Sequence, residues 1–288
     1  MTASGEAKDR FRVGLVQMCS GREVARNLAE AGRLIRAAAA GGAHYVQTPE
    51  VTTLIERNSA RLSEAVEPEA GNAALAHFQA LARELGIWLH IGSMAVRASS
   101  GKIANRAYLL TPRGAVAARY DKIHMFDVDL PGGERYRESA QFAPGDRAVL
   151  AELPWGKIGL TICYDLRFPH LYRALAKAGA RLIAIPSAFT VPTGRAHWHT
   201  LMRARAIETQ CFVLAAAQAG KHDNGRETFG HSLVVAPWGE ILAEGDGAEP
   251  SAIFADIDMA AVDEARRRVP SLTHDRPFDV AHATEPPS

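Results

Sequence analysis

The sequence predicts an α/β fold in which two packed sheets carry helices on their outer faces, within a single domain spanning 1–288. Apolar runs with a period of two alternate with helical stripes along the whole chain, and no linker or low-complexity segment interrupts them. Hairpin turns at Ser99-Ser100-Gly101, Pro112-Arg113-Gly114 and Pro154-Trp155-Gly156 are interspersed with helical crossovers, so the sheets are expected to be mixed. The expected total, about ten to twelve strands, suits two packed sheets. Pro237-Trp238-Gly239 repeats the earlier Pro-Trp-Gly turn and hints at an internal repeat.

Residues 1–10 are polar and expected to fray. Phe11–Met18 reads as a first buried strand. Glu23–Ala40 follows as a helix, with Val24, Leu28, Ala31, Leu34, Ile35 and Ala38 on one face and Gly41-Gly42 at its end. Tyr45-Val46-Gln47 is a short second strand, and Glu50 stands just past its end. Val51–Gly71 is an irregular surface segment with some helix. Asn72–Leu85 is a helix closed by Gly86. Ile87–Met94, Ala104–Thr111 and Ala115–Tyr120 read as hairpin-linked strands. Asp121–Asp146 is a long charged loop without periodicity, a kind usually kept for function. Strands are expected at Ala148–Leu153, Lys157–Ile162, Arg181–Pro186, Cys211–Ala217, His231–Ala236, Glu240–Glu244 and Ala252–Ile257. Helices are expected from near His170, over Ala196–Gln210 and over Asp258–Arg268, and 269–288 reads as an extended tail.

Formal net charge is +1, with a sequence pI near 7.8, so no strong field favours nucleic acid or an anionic membrane. Three cysteines, Cys19, Cys163 and Cys211, are too few and too scattered for a disulfide framework or zinc knuckle, and suggest reduced thiols in the cytoplasm. The first twelve residues hold no apolar run of the secretory type, and no apolar stretch reaches the ~18 residues of a membrane span. The expected partner is a small molecule.

The chemistry points to Lys157–Pro169, KIGLTICYDLRFP. A buried strand ends at Cys163, mixed polarity follows, and a helix begins. A cysteine at the carboxyl edge of a sheet, followed by free backbone N–H groups, suits a nucleophile; read alone, Cys163 is equally a small core residue. Glu50 and Lys122, the latter in YDKIH, also lie where strands run out into loops. A carboxylate can take the thiol proton, and an ammonium can stabilise thiolate and oxyanion. Arg167 could bind a substrate carboxylate or pair with Asp165. Phe126, Phe168, Phe189 and Thr190 are candidate pocket residues by neighbourhood. His197 and His199 face different sides of a helix, which argues against a metal pair. A Cys163–His231 pairing has no support in spacing. Cys19 and Cys211 are assigned to the core, and Arg266–Arg268 to a solvated face or dimer contact.

Over nearly its whole length the chain resembles the nitrilase, or carbon–nitrogen hydrolase, superfamily. The resemblance is carried by TPE around Glu50, YDKIHMFDVD around Lys122 and ICYDLRFP around Cys163, with support from PSAFT, AHWHTLMRARAIETQ and GHSLVVAPWGE. Phe126-Asp127-Val128, Glu138-Ser139 and Pro144-Gly145 follow the loop pattern of its deaminated glutathione amidase branch. The resemblance implies a four-layer α-β-β-α sandwich, a Glu50–Lys122–Cys163 triad extended by Glu138, and an oxyanion hole made by Lys122 and the Tyr164 N–H. It further implies a thioester route releasing ammonia from a primary amide of a small carboxylate-bearing substrate, with no metal or organic cofactor, and a homodimer. Nitrilase or N-carbamoyl-amine hydrolase activity is the alternative within the superfamily; a silent dimeric scaffold is the alternative outside it. His170 stands where the family often has glutamate, which bears on substrate recognition.

Overall fold

The computed structural model describes residues 9–98, 101–130 and 133–281. Its strands are β1 (Arg10–Gln17), β2 (Tyr45–Gln47), β3 (Trp88–Arg97), β4 (Ile103–Leu110), β5 (Val116–Asp121), β6 (Asp127–Asp129), β7 (Arg135–Arg137) and β8 (Val149–Leu153). After these come β9 (Gly156–Leu160), β10 (Ala180–Ala184), β11 (Phe212–Ala215), β12 (Ala219–Lys221), β13 (Glu227–Phe229), β14 (Leu233–Val235), β15 (Ile241–Glu244) and β16 (Ser251–Asp258). The helices are α1 (Val24–Ala40), α2 (Ser59–Ala65), α3 (Ala73–Leu85), α4 (Pro169–Lys177), α5 (Val191–Thr209) and α6 (Ala260–Arg268).

Two six-stranded sheets form the body, ordered β16-β1-β2-β3-β4-β5 and β15-β14-β11-β10-β9-β8. In the first, β1, β2 and β3 run parallel between antiparallel neighbours; in the second, β9, β10 and β11 do the same. Period-two alternation assigns the faces. Val13, Leu15, Ala107 and Leu109 join Ile158, Leu160 and Ile183 in the core between the sheets. Val16, Tyr108 and Leu110, out of phase with them, join Leu34, Ile35, Phe78 and Leu81 of α1 and α3 on the outer face. Leu175 of α4 and Trp198 and Met202 of α5 cover the second sheet. The result is the expected α-β-β-α sandwich. Each fully buried Leu or Ile contributes about 1.5–3 kcal/mol.

The two sheets share one strand topology, but the paired Pro-Trp-Gly turns do not mark equivalent positions in it. Aligning β16-β1-β2-β3-β4-β5 with β8-β9-β10-β11-β14-β15 matches every parallel and antiparallel neighbour. The turn equivalent to Pro237-Trp238-Gly239 is then Pro112-Arg113-Gly114. Both close the same way: Gly114 N–H bonds Thr111 O at 2.8 Å and Gly239 N–H bonds Ala236 O at 2.9 Å, each glycine having positive φ.

Helix ends follow their capping residues. Asn72 accepts from the Leu75 N–H at 2.9 Å to open α3, and Gly86 closes it at φ 65°. Asn58 opens α2, and a proline at its first position starts α4. Several expectations shift. Asp121–Asp146 is not wholly loop: β6 and β7 form a ribbon followed by a 3-10 turn at Glu138–Ala140. The β12–β13 hairpin was not predicted, because its glycines and charges mask any alternation. Arg10 is not frayed but pairs with Asp258 in the sheet; residues 1–8 lie outside the described residues, as do Ser99 and Ser100 of the first predicted turn. The tail turns at Ser271–Thr273, and Asp275 pairs with Arg173 and Lys177 of α4.

Candidate active site

Three loops leave the carboxyl ends of β2, β5 and β9 and converge, as open edges of α/β sheets favour. Glu50 arrives on a constrained turn. Val51 takes φ 52°, its N–H bonded to the Ser93 hydroxyl at 2.8 Å, and the Gln218 side chain donates to the Glu50 carbonyl at 3.0 Å. The segment leans directly on Gly92, where a Cβ would lie 2.1 Å from the Thr48 carbonyl oxygen, so only glycine fits.

Cys163 sits at φ 49°, a left-handed conformation unfavourable for a residue with a Cβ. The buried Asp165 carboxylate fixes this turn. It accepts from Tyr120 Oη at 2.6 Å, Ile162 N–H at 2.9 Å and His124 N–H at 3.1 Å, and bonds His124 Nδ1 at 2.6 Å. The Cys163 N–H is spent on Pro186 O, while the Tyr164 N–H makes no hydrogen bond among the described residues.

Lys122 is 2% exposed and its ammonium donates to both glutamates, 2.8 Å from Glu50 Oε1 and 2.8 Å from Glu138 Oε2. Asn105 donates to both as well, at 3.0 and 3.1 Å, and the Phe126 N–H fixes Glu138 at 2.7 Å. Glu50 and Cys163 line the same cavity, close enough for each to shift the other's pKa. The structure therefore brings Glu50, Lys122, Glu138 and Cys163 into one cluster.

The charges are settled by competition. Burial works against the Glu50 carboxylate, but Lys122 outweighs it and, helped by the neighbouring Cys163 thiol, holds the group below its ordinary pKa. Burial likewise opposes the Lys122 charge, yet Glu138 and Glu50 hold it well above the usual lysine value. Burial raises the Cys163 thiol and the Glu50 charge adds to that, against Lys122 and the Ala188 N–H. The resting cluster at neutral pH is carboxylate, ammonium and thiol. Such a set can move the thiol proton to Glu50 as sulfur attacks, with the ammonium beside the charge that develops.

A cavity of about 410 Å³ opens above the cluster, and Phe126, Tyr164, Arg167 and Phe189 line it. Two expected pocket residues do not. Phe168 stacks on His124, ring centroids 3.5 Å apart, and Thr190 is buried with its hydroxyl on Thr193, which lines the cavity instead. Arg167 is not paired with Asp165, whose oxygens are already occupied; its guanidinium reaches His197 Nδ1 at 3.3 Å. His170 is exposed, edge-on to Phe168, and not at the cavity. His231 bonds Glu244 at 2.8 Å, as does His199, rather than meeting Cys163. Cys19 is partly exposed, not core, with its thiol on Lys221 O, whereas Cys211 is buried. Arg266 reaches inward to Ala180 O at 2.6 Å, leaving Arg267 and Arg268 to pair with Glu264.

Sequence reasoning missed Asn105. Its signal is a polar residue in phase with Ala107 and Leu109, on the face β4 turns towards the other sheet.

Residues 12–267 match the family model described as carbon-nitrogen hydrolase. The chain belongs to the carbon-nitrogen hydrolase family. It is 42% identical to the deaminated glutathione amidase of Homo sapiens over 282 residues, covering 96% of this chain and 86% of that one. To the Yersinia enterocolitica protein of the same name it is 41% identical, covering 92% of each. The Caenorhabditis elegans NitFhit crystal structure superposes with a TM-score of 0.86 at 36% identity; the match covers 93% of this chain and 65% of that one. A Nesterenkonia amidase superposes at 0.75 with 27% identity, covering 90% and 94%. One form of that amidase carries a covalent acetamide group on its active-site cysteine. This carbon-nitrogen hydrolase is thus an amidase, a cysteine-dependent enzyme acting on amide C–N bonds of small molecules. No helix among the described residues is long and apolar enough to cross a membrane.

Proposed function

We propose that Cys163 is the nucleophile, Glu50 the general base and acid, Lys122 and the Tyr164 N–H the oxyanion hole, and Glu138 the residue that positions Lys122. The observation that carries this reading is the Lys122 ammonium held 2.8 Å from each of two carboxylates, on the same cavity as Cys163. As sulfur bonds to the amide carbon, the thiol proton passes to Glu50 and the carbonyl electrons move to oxygen. The ammonium and the Tyr164 N–H hold that oxyanion, each such donor being worth about 3 kcal/mol. The oxyanion collapses, the C–N bond breaks, and Glu50 returns the proton to the departing nitrogen. A water then gives its proton to Glu50 and attacks the thioester, releasing the carboxylate and restoring the thiol.

The substrate class we infer is a small amide bearing a carboxylate, of the deaminated glutathione or omega-amide type, with Arg167 taking the carboxylate. Relatives named deaminated glutathione amidase at 38–42% identity favour the first. Deaminated glutathione contains no primary amide, so it would release an amine, whereas an omega-amide would release ammonia. We further infer a cytoplasmic homodimer. Ile207, Trp238, Ile241, Leu242 and Val269, all exposed, offer an apolar surface for the second copy.

The test is intact-mass spectrometry and turnover with deaminated glutathione, an omega-amide, an aliphatic nitrile and an N-carbamoyl amine. Expected are hydrolysis of an amide and an acyl adduct that Cys163→Ala abolishes. Turnover of nitriles alone, or an adduct that survives Cys163→Ala, would defeat the assignment.

A further inference from the structure

Five arginines line the cavity: Arg57, Arg135, Arg137, Arg167 and Arg226. Arg135 and Arg137 share a single carboxylate, that of Asp129. Among the described residues, no carboxylate lies within ion-pair distance of the other three guanidiniums. The cavity's own Glu50 and Glu138 are committed to Lys122, and Glu56 faces Arg22. The wall therefore holds more positive charge than the carboxylates around the cavity balance.

This charge falls into two groups. Arg167 lies over Tyr164 and Phe189, 5.9 and 5.5 Å from their ring centroids. Arg57 and Arg226 both lie over Tyr136, at 5.5 and 5.6 Å. Phe126 stands between, its ring 5.0 Å from Tyr136 and 5.1 Å from Tyr164. Arg226 is held in place by the Ala188 carbonyl, and its buried Nε has no partner. A guanidinium within cation–π distance of a ring is held near it while keeping N–H groups for a carboxylate, which it can bind bidentately. An apolar ring between two such groups separates two anions by several bonds.

We propose that Arg226 and Arg57, both over Tyr136, form a second carboxylate subsite distinct from Arg167, selecting amides with a carboxylate on each side of the scissile bond. This rests on the reading that Cys163 attacks an amide in this cavity. Arg226 and Arg57 are binding residues; they stand apart from the proton transfers.

The test measures calorimetric affinity in a Cys163→Ala background for two ligands. One is a 2-oxo acid omega-amide with a single carboxylate. The other is the same acyl group amide-linked to a peptide that ends in a second carboxylate. The two-carboxylate ligand should bind about 10- to 100-fold tighter, with a preference that weakens as salt rises. Adding Arg226→Met should erase that preference, Arg226→Lys should keep part of it, and Arg167→Met should weaken both ligands together. Arg57→Met, at an exposed position, gives an independent variant should Arg226→Met fold poorly; it should reduce the preference by at least a few fold. Equal affinity for the two ligands, or a preference that survives both Arg226→Met and Arg57→Met, would overturn the subsite. Failure of the amidase reading would show separately, as a wild-type enzyme that binds but turns over neither ligand.

Discussion

The floor and the wall of the cavity are both crowded with charge, yet they are built in opposite ways. On the floor, Glu50, Lys122, Glu138 and Asn105 hydrogen-bond to one another within 3.1 Å, and Lys122 is almost wholly buried. On the wall, Arg57, Arg167 and Arg226 rest on aromatic rings with no carboxylate partner. The floor's charges are tied to one another, two carboxylates around one ammonium, and its groups are fixed where bonds change. A wall left uncompensated can select. Changes to the floor should therefore appear in kcat and in folding, and changes to the wall in affinity.

The sharpest way to break this division is Glu50→Gln, which keeps the size of the side chain and removes the proton acceptor. A loss of about 10²- to 10⁴-fold in kcat is expected, with little change in ligand affinity, as measured by steady-state kinetics and calorimetry. A comparable loss of affinity with kcat retained would place Glu50 in binding instead.

Lys122→Met tests the internal balance of the floor. Removing one member of a buried ionic set typically costs about 3–5 kcal/mol, which would appear as a lower midpoint in urea unfolding. The pH dependence should also change sign. In the wild type the folded-state pKa of Glu50 is depressed. Its stabilisation is therefore present above the ordinary carboxylate value near 4.5 and is lost as pH falls through the lower folded value. Without Lys122, burial dominates and the Glu50 pKa rises above that value. The folded state then binds more protons than the unfolded, and stability should grow as pH drops from about 7 towards 5. An unchanged pH slope would contradict the balance described here.

The smallest effect is expected at His170. Because that side chain is exposed and away from the cavity, His170→Glu should alter kcat/KM by less than about threefold. A larger change would extend the functional wall beyond the lining residues.

Much of this was legible in the sequence, for reasons that differ by element. The central strands were readable because burial on both faces leaves unbroken apolar runs, and α1 and α3 because one polar side remains. Glu50, Lys122 and Cys163 could be found because each follows directly where such a run ends. Asn105 was hidden because one polar residue inside a strand looks like noise until its partners are known. Arg226 and Tyr136 were hidden differently: they come from short ribbons whose charge and glycine content erase periodicity, and only the fold brings them to the cavity. Phe168 and Thr190 were misplaced because closeness in sequence to a catalytic turn says nothing about which way a side chain points. Phe168 turns to His124, and Thr190 to Thr193.

The central claim is that the resting nucleophile is a thiol beside an ionised Glu50, its proton leaving only as sulfur attacks. Thiolate ultraviolet absorbance, taken as the difference between wild type and Cys163→Ser across about pH 6 to 9, measures this directly. No thiolate signal from Cys163 should develop over that range while the enzyme stays active. A full thiolate signal at neutral pH would show that sulfur is already ionised and that Glu50 is not the base that activates it.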